Sequence, residues 1–333
     1  MTDETFKKLF LECRFNDLDE SITKPDFRLS ISGVDCVARG SIVAVAGKPG
    51  VGKSTAMAVI AGILICGLDF GKMQCKIGSK RILWIDTEKD PFSCKQRMRT
   101  LREIARLDKN TSLQDCGIDF FCIRHIGASD RLSFVSEAAK MEKYDAIFID
   151  GIFDLTNDPD KDYIPVIDLL KSLADTGATI FAMLHTNKQA EDDNMRYALG
   201  TELQRICTNR FSIKYDKSRH CHNIIHDKSN DTQLAPIVSF RCDENGIAMP
   251  FVEAKTEDNT PTTKKDSRTQ ANEEKIKSIL DGGIMMSRSE LIQKLGEDGI
   301  KNETAVKAIQ TAKKNGVIDR EEGKYGKYYL NVV

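Results

Sequence analysis

The run Gly47-Lys48-Pro49-Gly50-Val51-Gly52-Lys53-Ser54-Thr55 constrains the fold of this chain more than any other stretch. It satisfies the spacing G-x-x-x-x-G-K-[ST] at Gly47, Gly52, Lys53 and Ser54, with apolar runs on both sides, Ser41 to Ala46 and Ala56 to Cys66. That context predicts a strand, a glycine loop and a helix, the arrangement of a phosphate-binding loop. A polyphosphate needs several backbone N–H donors converging on it, and glycine lets the backbone curl closely enough. Gly47, Gly50 and Gly52 supply the curl, and a helix opening at Lys53 aims its dipole and its unpaired N–H groups at the anion. Lys53 is expected to reach the β- and γ-phosphates of ATP, and the Ser54 hydroxyl to bind Mg²⁺.

A chain of 333 residues can bury a sizeable core and still carry a second small domain. Its formal net charge of -1 gives no global basic field for nucleic acid, so any such binding must be local. The ten cysteines include no C-x-x-C pair, and many lie in apolar runs, which suggests reduced thiols in a reducing cytosol. The first residues lack an apolar stretch long enough for a signal peptide, and Met57 to Cys66 is too short to span a bilayer. The expectation is a cytoplasmic protein without a membrane segment.

Residues 1–27 suggest a short amphipathic helix and a connector, with Phe6, Leu9, Phe10 and Leu11 as the apolar side, suited to docking on a core or a neighbour. Residues 28–253 hold continuous apolar runs separated by helical segments: Arg81 to Ile85, Phe120 to Arg124, Tyr144 to Asp150 and Thr179 to Leu184. Strands apolar along their whole length imply a parallel sheet covered on both faces, hence a three-layer α/β domain. Short β-runs after Arg210 are expected to extend that sheet antiparallel at its edge. Residues 254–271 are polar and nearly free of large apolar side chains, as a flexible linker would be. Residues 272–333 predict three helices, the second opened by a capping box at Ser287 to Glu290, and then two strands around a Gly323 to Gly326 turn. Three helices followed by a hairpin resemble a winged helix-turn-helix.

A phosphate loop alone indicates binding, so hydrolysis must be argued from groups at the other strand ends. Asp150 ends one apolar strand, where a carboxylate orients Mg²⁺ through water. Glu88 follows another and can polarise the attacking water, while His185 ends a third, placed to feel the γ-phosphate. Ligands in open α/β sheets bind at the carboxyl ends of the strands, so these residues and the loop should meet.

With these residues in place, the chain resembles the RecA-like ATPases, and within them the RepA-like hexameric helicase group of plasmids and other mobile elements. Trp84-Ile85-Asp86-Thr87-Glu88 resembles the strand that ends in the family's catalytic glutamate, which implies that role for Glu88. Ala146 to Asp150 resembles the Walker B strand, and Leu184-His185-Thr186-Asn187-Lys188 the sensor motif. The resemblance covers roughly residues 28–250 and implies a ring or filament of identical subunits, in which a basic finger from one completes the site of the next. Ile224 to Lys228 resembles the segment carrying that finger, so Lys228 is the first candidate, with Arg205 and Arg210 as alternatives. It also implies action on DNA in replication or mobilisation of a mobile element.

Two features depart from a DNA motor. The loop after the Walker B strand is acidic (Asp154, Asp158, Asp160, Asp162), and Gln189 to Tyr197 offers only Arg196 against Glu191, Asp192 and Asp193. Phosphate binding needs counter-charge, so a nucleotide-gated DNA-binding or loading factor with little turnover stands as the alternative. His220, His222 and His226 invite a zinc reading, but no fourth ligand at usual spacing accompanies them, and a polar strand accounts for them better. In the last domain, DNA contact would fall to Lys301, Lys307, Lys313 and Lys314 and to a wing carrying Arg320, Lys324, Tyr325 and Lys327.

Overall fold

Apolar runs only five or six residues long become strands, because each residue face finds a helix layer to bury it. The computed structural model describes residues 1–14, 25–187, 195–251, 264–281, 284–314, 317–321 and 326–330. The chain divides into two compact units, Met1–Val252 and Glu253–Val333.

In chain order, the first unit opens with α1 (Asp3–Glu12), β1 (Phe27–Ile31), β2 (Val34–Ala38) and β3 (Ile42–Gly47), followed by α2 (Lys53–Cys66) and β4 (Met73–Cys75). Next come β5 (Ile82–Asp86), α3 (Pro91–Ile104), β6 (Ile118–Cys122), α4 (Ala128–Met141) and β7 (Ala146–Asp150). A 3-10 turn (Ile152–Leu155), α5 (Ile164–Asp175), β8 (Thr179–His185) and α6 (Tyr197–Ile206) precede β9 (Asn209–Asp216), β10 (Cys221–Ser229), β11 (Val238–Cys242) and β12 (Ala248–Pro250).

The main sheet has nine strands in the order β12-β11-β10-β9-β3-β8-β7-β5-β6, and a small sheet has the order β2-β1-β4. β9, β3, β8, β7, β5 and β6 run parallel, while β10, β11 and β12 extend the sheet antiparallel. The expected edge extension therefore differs in one strand: β9 pairs parallel with β3, and the reversal begins at β10.

Alternation along each strand divides the core in two. Val43, Val45, Trp84, Phe148 and Phe181 face α2 and α3, whereas Ala44, Ala46, Leu83, Ile149 and Ala182 face α4, α5 and α6. The expected three-layer α/β architecture is the one observed. Trp84, the chain's one tryptophan, stacks on Phe148 at 5.1 Å, and Phe148 on Phe181 at 4.6 Å, a ladder across β5, β7 and β8 that fixes their register. No helix among the described residues is long and apolar enough to cross a membrane.

The second unit contains α7 (Lys264–Leu280), α8 (Arg288–Glu297), α9 (Asn302–Lys314) and an antiparallel pair, β13 (Ile318–Arg320) and β14 (Tyr328–Leu330). Ile276, Leu280, Leu291, Leu295, Ile309 and Tyr328 form its core. Ser287 and Glu290 make the expected capping box at the start of α8. The stretch expected to be a linker differs: from Lys264 onward it belongs to α7, because it is rich in Lys, Arg, Gln and Ala and lacks Pro and Gly. Residues 254–263, Gly323, Lys324 and Tyr325 lie outside the described residues, as do Lys188 and Gln189 to Asn194.

Candidate nucleotide site

The loop of Gly47 to Thr55 joins β3 to α2 at the carboxyl edge of the parallel strands. Gly52 is the N-cap of α2 and offers no side-chain cap, so the first N–H groups of the helix point into the loop. Its φ is 88°, and a Cβ there would meet the His222 ring at 2.8 Å. His222, from β10, stacks on Phe240 and places Nδ1 at 2.8 Å from the Val51 carbonyl, so Nδ1–H donates to the loop from below. Sequence spacing gave no sign of this buttress, because it depends on β10 lying two strands from β3.

Lys53 is buried, and its ammonium donates to the carbonyls of Gly47 (3.0 Å) and Lys48 (2.8 Å) while lying 3.0 Å from His185 Nδ1. Burial lowers its pKa to about 8, opposed by the charges of Glu88 and Asp150. His185 Nε2 is in turn 3.7 Å from Glu88 Oε1. The His185 ring beside it holds the Glu88 carboxyl below its ordinary range, with burial opposing. Lys53, His185 and Glu88 thus form one chain of contacts, with residues from a helix start, a strand end and a loop that follows a strand.

Asp150 ends β7 directly opposite Asp86 of β5. Arg97 of α3 bridges the two carboxylates, with Nη1 at 2.8 Å from Asp86 Oδ2 and 2.6 Å from Asp150 Oδ2. Burial raises the Asp150 pKa to about 7; Arg97 acts against this, Asp86 with it, and the Ser54 hydroxyl against it. Asp150 Oδ1 is buried and has no hydrogen-bond partner. An orphaned carboxylate oxygen beside the Ser54 hydroxyl suits a hydrated hard cation such as Mg²⁺, which keeps most of its waters and takes few protein oxygens. Asp86 instead shapes the backbone, because Oδ1 accepts the N–H groups of Glu88 (3.0 Å) and Lys89 (2.8 Å), which turns the chain so that Glu88 faces the loop.

Thr87 fastens the same corner, its hydroxyl lying 3.0 Å from the carbonyls of Asp150 and Gly151 and 2.8 Å from Asp154 Oδ2. At Gly151 φ is 102°, and a Cβ would overlap the Thr87 hydroxyl and crowd Glu88, so only glycine fits. Arg97 and Gly151 belong to the site but to no spacing motif, and Thr87 lies inside the Trp84 to Glu88 run without a role that its spacing announces. The acidic loop also has local duties: Asp158 Oδ1 accepts the N–H groups of Asp160 and Lys161, and Asp160 Oδ1 accepts that of Ala198.

The structure does not bring every candidate together. Lys228 pairs with Arg210, whose β3 partner is Ala44, so in its own chain it lies towards the opposite end of the sheet from the loop. Its ammonium donates to the carbonyls of Gln204 and Cys207, each at 2.6 Å, and so caps the end of α6. Arg210 pairs with Asp227 at 2.6 Å, while Arg205, on the exposed side of α6, pairs with Glu202. The three histidines also diverge: His222 serves the loop, His220 contacts the Tyr215 hydroxyl at 3.4 Å, and buried His226 bonds Asn209 and Ala235.

Comparison with known proteins follows the same lines. A family model described as an AAA domain matches residues 10–191, more than half of the chain and every element of the site through His185. Among solved structures, the flagellar accessory protein FlaH from Methanocaldococcus jannaschii is similar at 15% identity, covering 66% of this chain and 92% of that chain with a TM-score of 0.49. No curated protein matches. With its phosphate loop, parallel sheet and carboxylate-lined strand ends, the chain belongs to the AAA domain family and is a P-loop NTPase.

Proposed function

We propose that the chain binds Mg²⁺-ATP on Gly47 to Thr55, hydrolyses it, and assembles as a ring or filament that acts on DNA. The observation that carries the hydrolytic reading is the convergence of Lys53, Ser54, Glu88, Asp150 and His185 at one sheet edge. Lys53 leaves His185 and the two loop carbonyls to take the β- and γ-phosphate oxygens. Ser54 and Asp150 would hold Mg²⁺, which when bound would supply charge neutralisation on the phosphates. Glu88, kept ionised beside His185, accepts a proton from the attacking water as its oxygen bonds to the γ-phosphorus and the bond from that phosphorus to the β–γ bridging oxygen breaks, so that ADP leaves with the bond's electron pair. His185, released by Lys53, carries the state of the γ-phosphate towards Arg196, whose guanidinium Nε donates to the neighbouring Thr186 carbonyl at 2.8 Å. Because Thr87 and Asp86 anchor the backbone around Glu88, the carboxylate is set before substrate arrives, which is where an electrostatic catalyst gains most.

The residues 272–333, with helices α8 and α9 and the β13–β14 pair, supply the DNA contact as a winged helix, with Lys301, Lys307 and Lys313 on or beside α9. The RepA-like resemblance favours replication or mobilisation of a mobile element as the setting. The acidic loop supports a second reading, a nucleotide-gated DNA-binding or loading factor with little turnover, because the Asp158 and Asp160 carboxylates repel phosphate and Lys161 beside them is paired with Asp158. Steady-state ATPase measurements with and without single-stranded DNA separate the two. A motor gives turnover that DNA stimulates and that Glu88→Gln removes while binding persists; a switch gives slow turnover indifferent to DNA. Absence of nucleotide binding by the wild-type chain would overturn both. The trans finger is tested by Lys228→Ala, which as a finger lowers turnover at unchanged thermal stability and as a cap on α6 lowers stability at unchanged turnover.

A further inference from the structure

A cavity of about 640 Å³ lies apart from the nucleotide loop, walled by α3, the segment 107–113, β6 and the turn joining β11 to β12. That volume is in the range that small ligands fill. Met98, Leu107, Leu113, Phe120 and Ile247 give it an apolar lining. Cys94 and Cys122 join them as neutral thiols, because burial raises the pKa of each. Asn245 supplies the one amide side chain, so a sugar or a nucleobase entering here would leave polar groups without partners, at a cost that a hydrocarbon chain escapes.

The mouth of the cavity is cationic. Lys95, Arg99 and Lys109 line it and are exposed, and none of the three has an ion pair among the described residues. Arg102 fixes the segment that carries Lys109: its Nη1 donates to the Asp108 carbonyl at 3.1 Å and its Nη2 to the Thr111 carbonyl at 2.9 Å. Asp108 Oδ1 accepts the Asn110 N–H at 2.7 Å, so that carboxylate serves the turn beside Lys109. Four cations therefore line the cavity against one carboxylate, Glu103. An apolar interior with a positive mouth matches a ligand that has a hydrocarbon body and an anionic head.

We propose that this cavity binds an acyl anion, a hydrocarbon chain ending in one carboxylate, with the chain on Met98, Leu113 and Phe120 and the head on Arg99 and Lys109. A guanidinium presents a carboxylate with two parallel N–H donors, and an ammonium on a flexible stem follows the head as the chain settles. The Met98 thioether adapts to an extended or a bent chain without asking for a hydrogen bond. No residue of Gly47 to Thr55 lines the cavity, so binding requires no nucleotide. The Phe120 ring is 6.0 Å from that of Trp84, and an occupant against Phe120 therefore alters the surroundings of the chain's one tryptophan.

The test titrates dodecanoate, below its micellar concentration, into the full chain without nucleotide, followed by calorimetry and by Trp84 emission. The wild type should bind one equivalent with a Kd on the order of 10–100 µM, and the emission should change along the same isotherm. Dodecanol, which has the chain without the charge, should bind about tenfold more weakly. Arg99→Glu/Lys109→Glu reverses two exposed charges; at an unchanged melting temperature it should weaken dodecanoate about tenfold or more and leave dodecanol as it was. Ile247→Trp, which fills the cavity, should weaken both ligands in the calorimeter. Uptake of several equivalents without saturation, equal affinity for dodecanoate and dodecanol, indifference to either variant, or displacement of dodecanoate by adenosine monophosphate would each overturn the proposal. So would sedimentation with phosphatidylglycerol vesicles in the absence of any binding of free dodecanoate, which would make the cationic mouth a membrane contact. Failure of ATP hydrolysis would leave these readings unchanged.

Discussion

Arg97 holds together two carboxylates that strand order alone would set against each other. Asp86 and Asp150 are register partners on adjacent strands, both buried, and the guanidinium between them is their shared counter-charge. Removing it in Arg97→Ala leaves uncompensated buried charge, so urea unfolding should show a loss of about 3–5 kcal/mol. His222 is a milder case. In His222→Phe the stack on Phe240 can persist while the bond to the Val51 carbonyl is lost, and one net hydrogen bond corresponds to about a fivefold rise in nucleotide KM with kcat nearly unchanged. An equal fall in kcat would assign His222 to the chemistry itself. At this scale the phosphate loop was legible because its chemistry is written in local spacing. Asp150, Glu88 and His185 were legible because each follows an apolar run. Arg97 and His222 were not, since nothing local to α3 or β10 announces which strands they will meet.

Strand β10 carries a buried titratable group on its other half. His226 accepts the Ala235 N–H at Nδ1 (3.1 Å) and donates from Nε2 to Asn209 (3.0 Å), which defines a neutral ring. Burial holds its pKa below the ordinary 6.5, with Asp227 opposing. Above 6.5 the folded and unfolded chains are both neutral at this site; below it the unfolded chain takes up a proton that the folded chain resists. Stability should therefore fall as pH drops through and below 6.5, and the melting temperature of His226→Gln should vary less between pH 8 and 5.5 than that of the wild type. The same scale shows where sequence patterns lose resolution. The run expected from Phe120 to Arg124 forms a strand at Ile118–Cys122, because pairing with Ile82 to Asp86 decides which residues enter the ladder. β4 and β12, each three residues long, carry too few side chains for a period to register. α7 begins inside a polar stretch that has helix propensity but no apolar periodicity to announce it.

Each of the two units has its own core, so heat should unfold the chain in two transitions resolvable by calorimetry. If Mg²⁺-ATP binds the first unit as proposed, it should raise that transition alone, by an increment that grows with the logarithm of nucleotide concentration. A single transition, or an equal shift of both, would mean that the units are coupled. The aromatic ladder offers a second, optical way to follow the same event. The chain contains one tryptophan, Trp84, fully buried on the strand that ends in Asp86 and stacked on the strand that ends in Asp150. Its intrinsic emission should be blue-shifted and partly quenched by its neighbours, and any nucleotide-driven slip of β5 against β7 should change that signal. The protein thus contains an unlabelled fluorophore on the strand leading to its candidate nucleotide site, suited to stopped-flow measurement of nucleotide arriving and leaving there.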